Sequence, residues 1–337
     1  MVDLSSASRT AQVRSGGRRR PARFSHVLLA VIACLFAVRL PANSSPCAGM
    51  EAVRVLWDSV ELHDTRFGTS VSVRVELTRL PASGIEKSFL AAPRRRPVSP
   101  SGPEVLLLDV RTRIEPPAIP AVTLLSRVWF SPREALPLQR FRSRRGEDDY
   151  DQTFRFTHEG VFRLQVEPRA PAEVPLGPEG WSKKSESFYV YPGIGGFTET
   201  SLLLYILSAA QIDTEGAPLE LDVFNRRQFH RVALRAGAPR SLPTELILSM
   251  PNGEAKVLRS VEAFPVRFVG VPLDPKAKER EDFSFLGLKG EVVLYLEKES
   301  RLPVQVSGEI PGIGRVEMRA SEIKFRAPNG RPASVKD

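Results

Sequence analysis

The sequence predicts a mainly β protein, a curved antiparallel sheet or half-barrel with one short apolar helix, and three features predict it. Proline is spread along the chain, 29 in 337 residues, at intervals too short for long helices, because a proline inside a helix removes a hydrogen bond and clashes with the preceding turn. Val71, Val73, Val75 and Leu77 alternate with Ser72, Arg74 and Glu76, the period-two pattern of a strand with one wet face. Met250-Pro251-Asn252-Gly253-Glu254 is hairpin-turn chemistry, with Asn-Gly supplying positive φ between two apolar runs.

Similar runs fall at Glu104–Val110, Val122–Phe130, Thr153–Phe156, Val161–Val166, Leu219–Phe224, His230–Leu234 and Thr244–Met250. They continue at Val257–Ala263, Val266–Val269, Glu291–Tyr295, Val304–Ile310 and Arg315–Phe325, so a meandering sheet is expected over residues 53–325. One segment breaks the pattern: Thr198-Glu199-Thr200-Ser201 precedes LLLYILSAA, residues 202–210. There threonine can cap a helix whose first turn carries a glutamate. Apolar on every side, such a helix is buried rather than amphipathic. Leu202, Leu203, Tyr205 and Ile206 are its candidate ligand-lining or core residues.

Residues 91–103 (AAPRRRPVSPSGP) and 168–180 (PRAPAEVPLGPEG) are Pro-rich and poor in large apolar residues, so they read as long excursions. Arg140–Arg145 is a second Arg-rich excursion, and 276–282 (KAKERED) a solvated hairpin tip. Pro-Gly-Ile-Gly occurs at 192–195 and again at 311–314, each suited to a tight turn. The last residues, 326–337, form a loose tail.

The N-terminus carries its own message. Six arginines, at 9, 14, 18, 19, 20 and 23, precede the twelve apolar residues VLLAVIACLFAV at 27–38. That run is too short for a membrane-crossing helix, which needs roughly 20 residues. A basic region, a short apolar run and Leu40-Pro41-Ala42 read as a secretory signal over 1–42 with cleavage after Ala42, followed by a linker at 43–52. A second route is open, since Ala33-Cys34 has the shape of a lipidation site at Cys34. Cleavage after Ala42 would leave Cys47 alone, so the mature fold would rest on its core rather than on an internal disulfide. The expected location is the periplasm or the outer membrane.

The same segment accounts for most of the basic charge. Of the net +9, residues 1–42 hold +6, leaving +3 on the other 295 residues. No basic stripe with interleaved aromatics follows, so nucleic acid is not an expected partner. Contact with an anionic membrane surface stays open for the Arg94–Arg96 and Arg142–Arg145 clusters.

Catalytic signatures are sparse. The histidines at 63, 158 and 230 have no metal-ligand spacing. The acidic run Glu147–Asp151 lacks the spaced oxygens and glycine of a calcium loop, and no G-x-S-x-G occurs. Neither enzyme nor metal or cofactor site is expected.

The helix at 198–216 with the following strand Leu219–Phe224, then GEVVLYL at 290–296, RLPV at 301–304 and IGRVEM at 313–318, resembles the bacterial domain of unknown function 3108. That resemblance implies an exported β-rich protein with no assigned catalytic residues, similar in architecture to the half-barrel of lipoprotein carriers. Two functions are expected from it and from the residues. One is a carrier holding a lipid or acyl chain against the apolar helix; the other is an envelope assembly protein that meets a protein partner through its loops and sheet edges.

Overall fold

The computed structural model describes residues 55–326 apart from 118, 147, 211, 213–216 and 275–281. Among the described residues the first strands are β1 (Trp57–Arg66), β2 (Thr69–Pro81), β3 (Glu104–Glu115), β4 (Val122–Ser131) and β5 (Leu136–Arg145). Next come β6 (Tyr150–Thr157), β7 (Gly160–Glu167), β8 (Lys183–Val190) and the two-residue β9 (Thr198–Glu199), then the helix α1 (Leu202–Ala209). The last described strands are β10 (Leu219–Asn225), β11 (Gln228–Ala236), β12 (Arg240–Ser249), β13 (Ala255–Pro272), β14 (Lys289–Glu297), β15 (Pro303–Ile310) and β16 (Gly314–Phe325).

A small closed barrel lies at the centre. Strands β12 to β16 pair in sequence, and Leu248 of β12 pairs parallel with Ile323 of β16 to complete the ring. Two arms extend from it: β1 to β8 continue antiparallel from the outer edge of β16, and β11, β10 and β9 continue from β13.

The length of β13 permits that branching. Its first half pairs with β12, its second half with β11 on the same edge, and β14 runs along the other. Sequence reasoning expects a break between Val257–Ala263 and Val266–Val269, yet the strand passes through Pro265. The Pro265 carbonyl accepts the Gly237 N–H at 2.8 Å, so the proline's missing N–H falls at the junction between β11 and β12, where no ladder bond is lost.

Strands β1, β5, β8 and the two-residue β9 are additional to the expected set; polar alternation explains the first three, and β9 falls where the helix start is expected. Residues 140–145 belong to β5, an internal strand between β4 and β6, and not to a loop. The excursion at 91–103 is held by a bridge between Pro97 and Thr157, with Val98 buried among aromatic side chains. That at 168–180 contains a 3₁₀ turn, Pro171–Leu176. There the Glu173 carboxylate accepts the Arg169 and Ser182 N–H groups and the Ser182 hydroxyl, which holds its pKa down to about 2.

The 250–254 turn closes the β12–β13 hairpin as expected, with Gly253 at φ +85°. Pro311–Gly314 joins β15 to β16 through an Ile313 N–H to Ile310 carbonyl bond of 3.0 Å, whereas 192–195 forms bends. The expected signal segment at 1–42, the expected linker at 43–52, both cysteines, most of the 276–282 run and the tail from 327 lie outside the described residues.

The main core fills the concave side of the sheet around α1. Val60, Val75 and Val110 form one inward row across β1, β2 and β3. A second cluster, of Phe154, Phe156, Tyr191, Phe197, Phe224 and Phe229, joins the far strands of one arm to the β10–β11 hairpin of the other. Its rings meet mostly tilted or edge-on, as Phe197 and Phe229 do at 4.8 Å and 85°.

Gly160 opens β7 at φ +149°, where an added Cβ would lie 2.0 Å from the Tyr189 carbonyl oxygen. Gly160→Ala should therefore cost about 2 kcal/mol or more in denaturant unfolding. Gly102→Ala, with nothing within 4 Å of the added atom, should stay within about 0.5 kcal/mol.

Candidate functional site: a buried ion pair and its cavity

A row of side chains crosses the concave face from Leu77 through Leu108 and Val128 to Arg140 and Phe154. An arginine in an otherwise apolar row needs a counter-charge, because an unpaired buried charge costs several kcal/mol. The counter-charge comes from the opposite arm. Arg140, 6% exposed, donates from Nη1 to Glu199 Oε1 at 2.6 Å, and Glu199 is 0% exposed. The guanidinium also lies 5.2 Å from the Phe154 ring centroid. Burial pushes the Glu199 carboxyl pKa up and the Arg140 guanidinium pKa down, each opposed by the partner's charge.

Glu199 also starts the helix, though not as a first-turn residue. Thr198 and Glu199 form β9, parallel to Val223 and Phe224 of β10, so Ser201 becomes the N-cap and makes no side-chain capping bond. The Glu199 carboxylate instead reaches forward to accept the Ser201 N–H at 2.8 Å. Around it every residue of the 198–201 segment is tied down. The Thr198 hydroxyl donates to the Ala135 carbonyl at 3.0 Å, and the Thr200 hydroxyl to the Phe224 carbonyl at 3.1 Å. Asn225 Nδ2 donates to Thr200 Oγ1 at 3.0 Å and to the Ser284 carbonyl at 2.6 Å.

The rest of α1 is anchored in the same way. Trp57 Nε1 donates to Ser208 Oγ at 3.1 Å, and the Tyr205 hydroxyl donates to the Pro132 carbonyl at 3.1 Å. Leu202, Leu203, Tyr205 and Ile206 are all 0% exposed and belong to the core cluster. None of these four lines the cavities described below.

Beside the ion pair lies a cavity of about 70 Å³. Arg140, Arg142, Glu199, Ser201, Asn225 and Arg226 contribute its polar lining, with Val110, Leu124 and Leu286 among the apolar groups. A wider depression of about 1200 Å³ lies by the second half of β13 and the β15–β16 turn, and it includes Phe268, Val271, Phe283, Lys289 and Glu309. Among the described residues no group of three His, Cys, Asp or Glu is placed to hold a metal ion.

Sequence reasoning missed Arg140, Arg142 and Glu199 as a unit. The signal was present in two places: Leu138, Arg140, Arg142 and Arg144 alternate as a strand face does, and one lone glutamate precedes a wholly apolar helix.

No family model matches the chain. The resemblance to domain 3108 read from residues 198–318 therefore has no matching family behind it. No curated protein matches either. Among solved structures the chain is similar to the crystal structure of a β-barrel-like protein of domain of unknown function DUF1849 from Brucella abortus. The two share 7% identity at a TM-score of 0.44, over 81% of this chain and 99% of that one.

Asn225→Ala would leave the Ser284 carbonyl and Thr200 hydroxyl short of a donor in a buried setting. It should destabilise the protein by about 2 kcal/mol in chemical denaturation. Ser241→Ala, which breaks an exposed hydroxyl pair with Ser260, should change stability by less than about 0.5 kcal/mol.

Proposed function

We propose that this chain is an exported, non-catalytic protein of the bacterial envelope that acts through its outer surface, its loops and sheet edges, rather than by carrying an acyl chain inside. One observation carries the reading: the concave face that a carrier would leave open is occupied by α1, whose eight residues are all buried. An apolar ligand of ordinary size fills a pocket of several hundred Å³, whereas the cavity beside α1 has about 70 Å³ and the wider depression of about 1200 Å³ is open and carries the charged Asp282, Lys289, Glu291 and Glu309.

The outer surface offers two features suited to a partner. Arg94 and Arg96 stand exposed at the tip of the 91–103 excursion, and Arg95 packs 4.0 Å over the Phe188 ring. Strand β8 pairs only with β7 among the described strands, so its other edge is open to strand addition. Export rests on the arginines before VLLAVIACLFAV.

Native mass spectrometry with lipid extraction should find the purified protein lipid-free and indifferent to fluorescent fatty acids. A stoichiometric bound acyl chain would overturn the surface reading. Crosslinked pull-down from envelopes should recover a protein that the Arg94→Glu/Arg96→Glu double variant loses; equal recovery by both would remove the loop from the account. The intact mass of the mature protein should begin at Asn43, and a mass beginning at Met1 would contradict export.

A further inference from the structure

We propose that the cavity between β5, the start of α1 and the β10–β11 turn is a binding site for a phosphate group, either of a soluble phosphate or phosphomonoester or of a lipid headgroup. The first argument is charge. Three arginines, 140, 142 and 226, and one glutamate, 199, line a space closed in part by Val110, Leu124 and Leu286. Glu199 offsets Arg140, which leaves the positive charge of Arg142 at the cavity to meet a phosphate group, an anion at neutral pH. Arg142 stacks over the Tyr150 ring and makes no ion pair among the described residues. Guanidinium groups of neighbouring arginines tolerate one another poorly in a partly closed space unless an anion lies between them.

The second argument is independent of charge. Arg140 spends its Nη1 on Glu199, but its Nε–H is buried with no hydrogen-bond acceptor. A sealed donor without a partner is a standing cost that an acceptor entering the cavity lined by Arg140 would relieve. An oxyanion oxygen supplies the acceptor, and the planar guanidinium matches the two-oxygen edge of a phosphate.

The third argument is size. A water needs roughly 10–15 Å³ of such space, so a cavity of about 70 Å³ admits one small anion with its own hydration but no acyl chain. If a lipid is the source, only its headgroup enters. Position favours a readable site too: Arg142 is half-buried at the cavity and accessible from solvent, while Arg140 and Glu199 form the sealed floor.

Titration calorimetry of the purified protein with inorganic phosphate, at constant ionic strength in chloride, tests the proposal. Phosphate should bind at one site, Arg142→Gln should weaken it at least tenfold, and Arg145→Gln, on the opposite face of β5, should leave it within twofold. Arg142→Gln keeps the Arg140–Glu199 floor, and its circular dichroism spectrum and thermal midpoint in chloride should match the parent protein. A second arm uses vesicles of phosphatidylcholine with and without phosphatidic acid. Retention on phosphatidic acid vesicles that Arg142→Gln abolishes assigns a lipid headgroup; phosphate binding with no vesicle retention assigns a soluble ligand. No heat with millimolar phosphate and no Arg142-dependent vesicle retention would overturn the site, as would phosphate binding that Arg142→Gln leaves intact.

Discussion

The buried contact between Arg140 and Glu199 is the constraint on which the rest of this architecture turns. The central ring of β12 to β16 closes by backbone hydrogen bonds, but the two arms that leave it do not share a ladder. They meet instead through side chains, at the ion pair between β5 and β9 and at the aromatic cluster of Phe154, Phe156, Phe224 and Phe229. Between these two joints the concave face is shut over α1. The pair is costly to bury, since desolvation weighs against both charges, and what it supplies is position rather than net free energy. It fixes where β9 ends and where the helix begins.

A helix without polar faces needs such a device. LLLYILSA has no amphipathic stripe to orient it, so its direction and rotation come from its ends: the Glu199 carboxylate on the Ser201 N–H and the Trp57 indole on Ser208. With both ends fixed, leucines 202, 203, 204 and 207 can fill the sheet's concavity from every side. The filled interior moves the functional question to the surface and to the small polar cavity at the helix start. The arginines around that cavity face inward because β5 is a strand, and period two carries 140 and 142 to the same side.

Much of this was legible in the sequence. Valines 71, 73 and 75, the Asn252-Gly253 turn and the wholly apolar 202–209 segment state their own structure, because burial on one face or all faces leaves a periodic record. Where polar residues do structural work the record fails. Arg140, Arg142 and Arg144 look like solvated charge, since a lone sequence does not reveal that a glutamate 59 residues later will neutralise one of them. Pro265 reads as a strand breaker, and only the tertiary arrangement places its missing N–H at a gap in the neighbouring edge. Glu199 reads as a first-turn helix residue because threonine ahead of it is a good cap; pairing with β10 displaces the helix start by three residues, from a cap at Thr198 to one at Ser201.

A double-mutant cycle on the pair, read by equilibrium denaturation of the parent protein, Arg140→Met, Glu199→Leu and the double variant, tests the central role of this contact most directly. If the pair joins the arms, each single variant should lose about 3–5 kcal/mol by stranding a buried charge, and the double variant should lose clearly less than the two losses added together. Single losses under about 0.5 kcal/mol that simply add in the double variant would show that the sheet closes without the pair and would contradict the account.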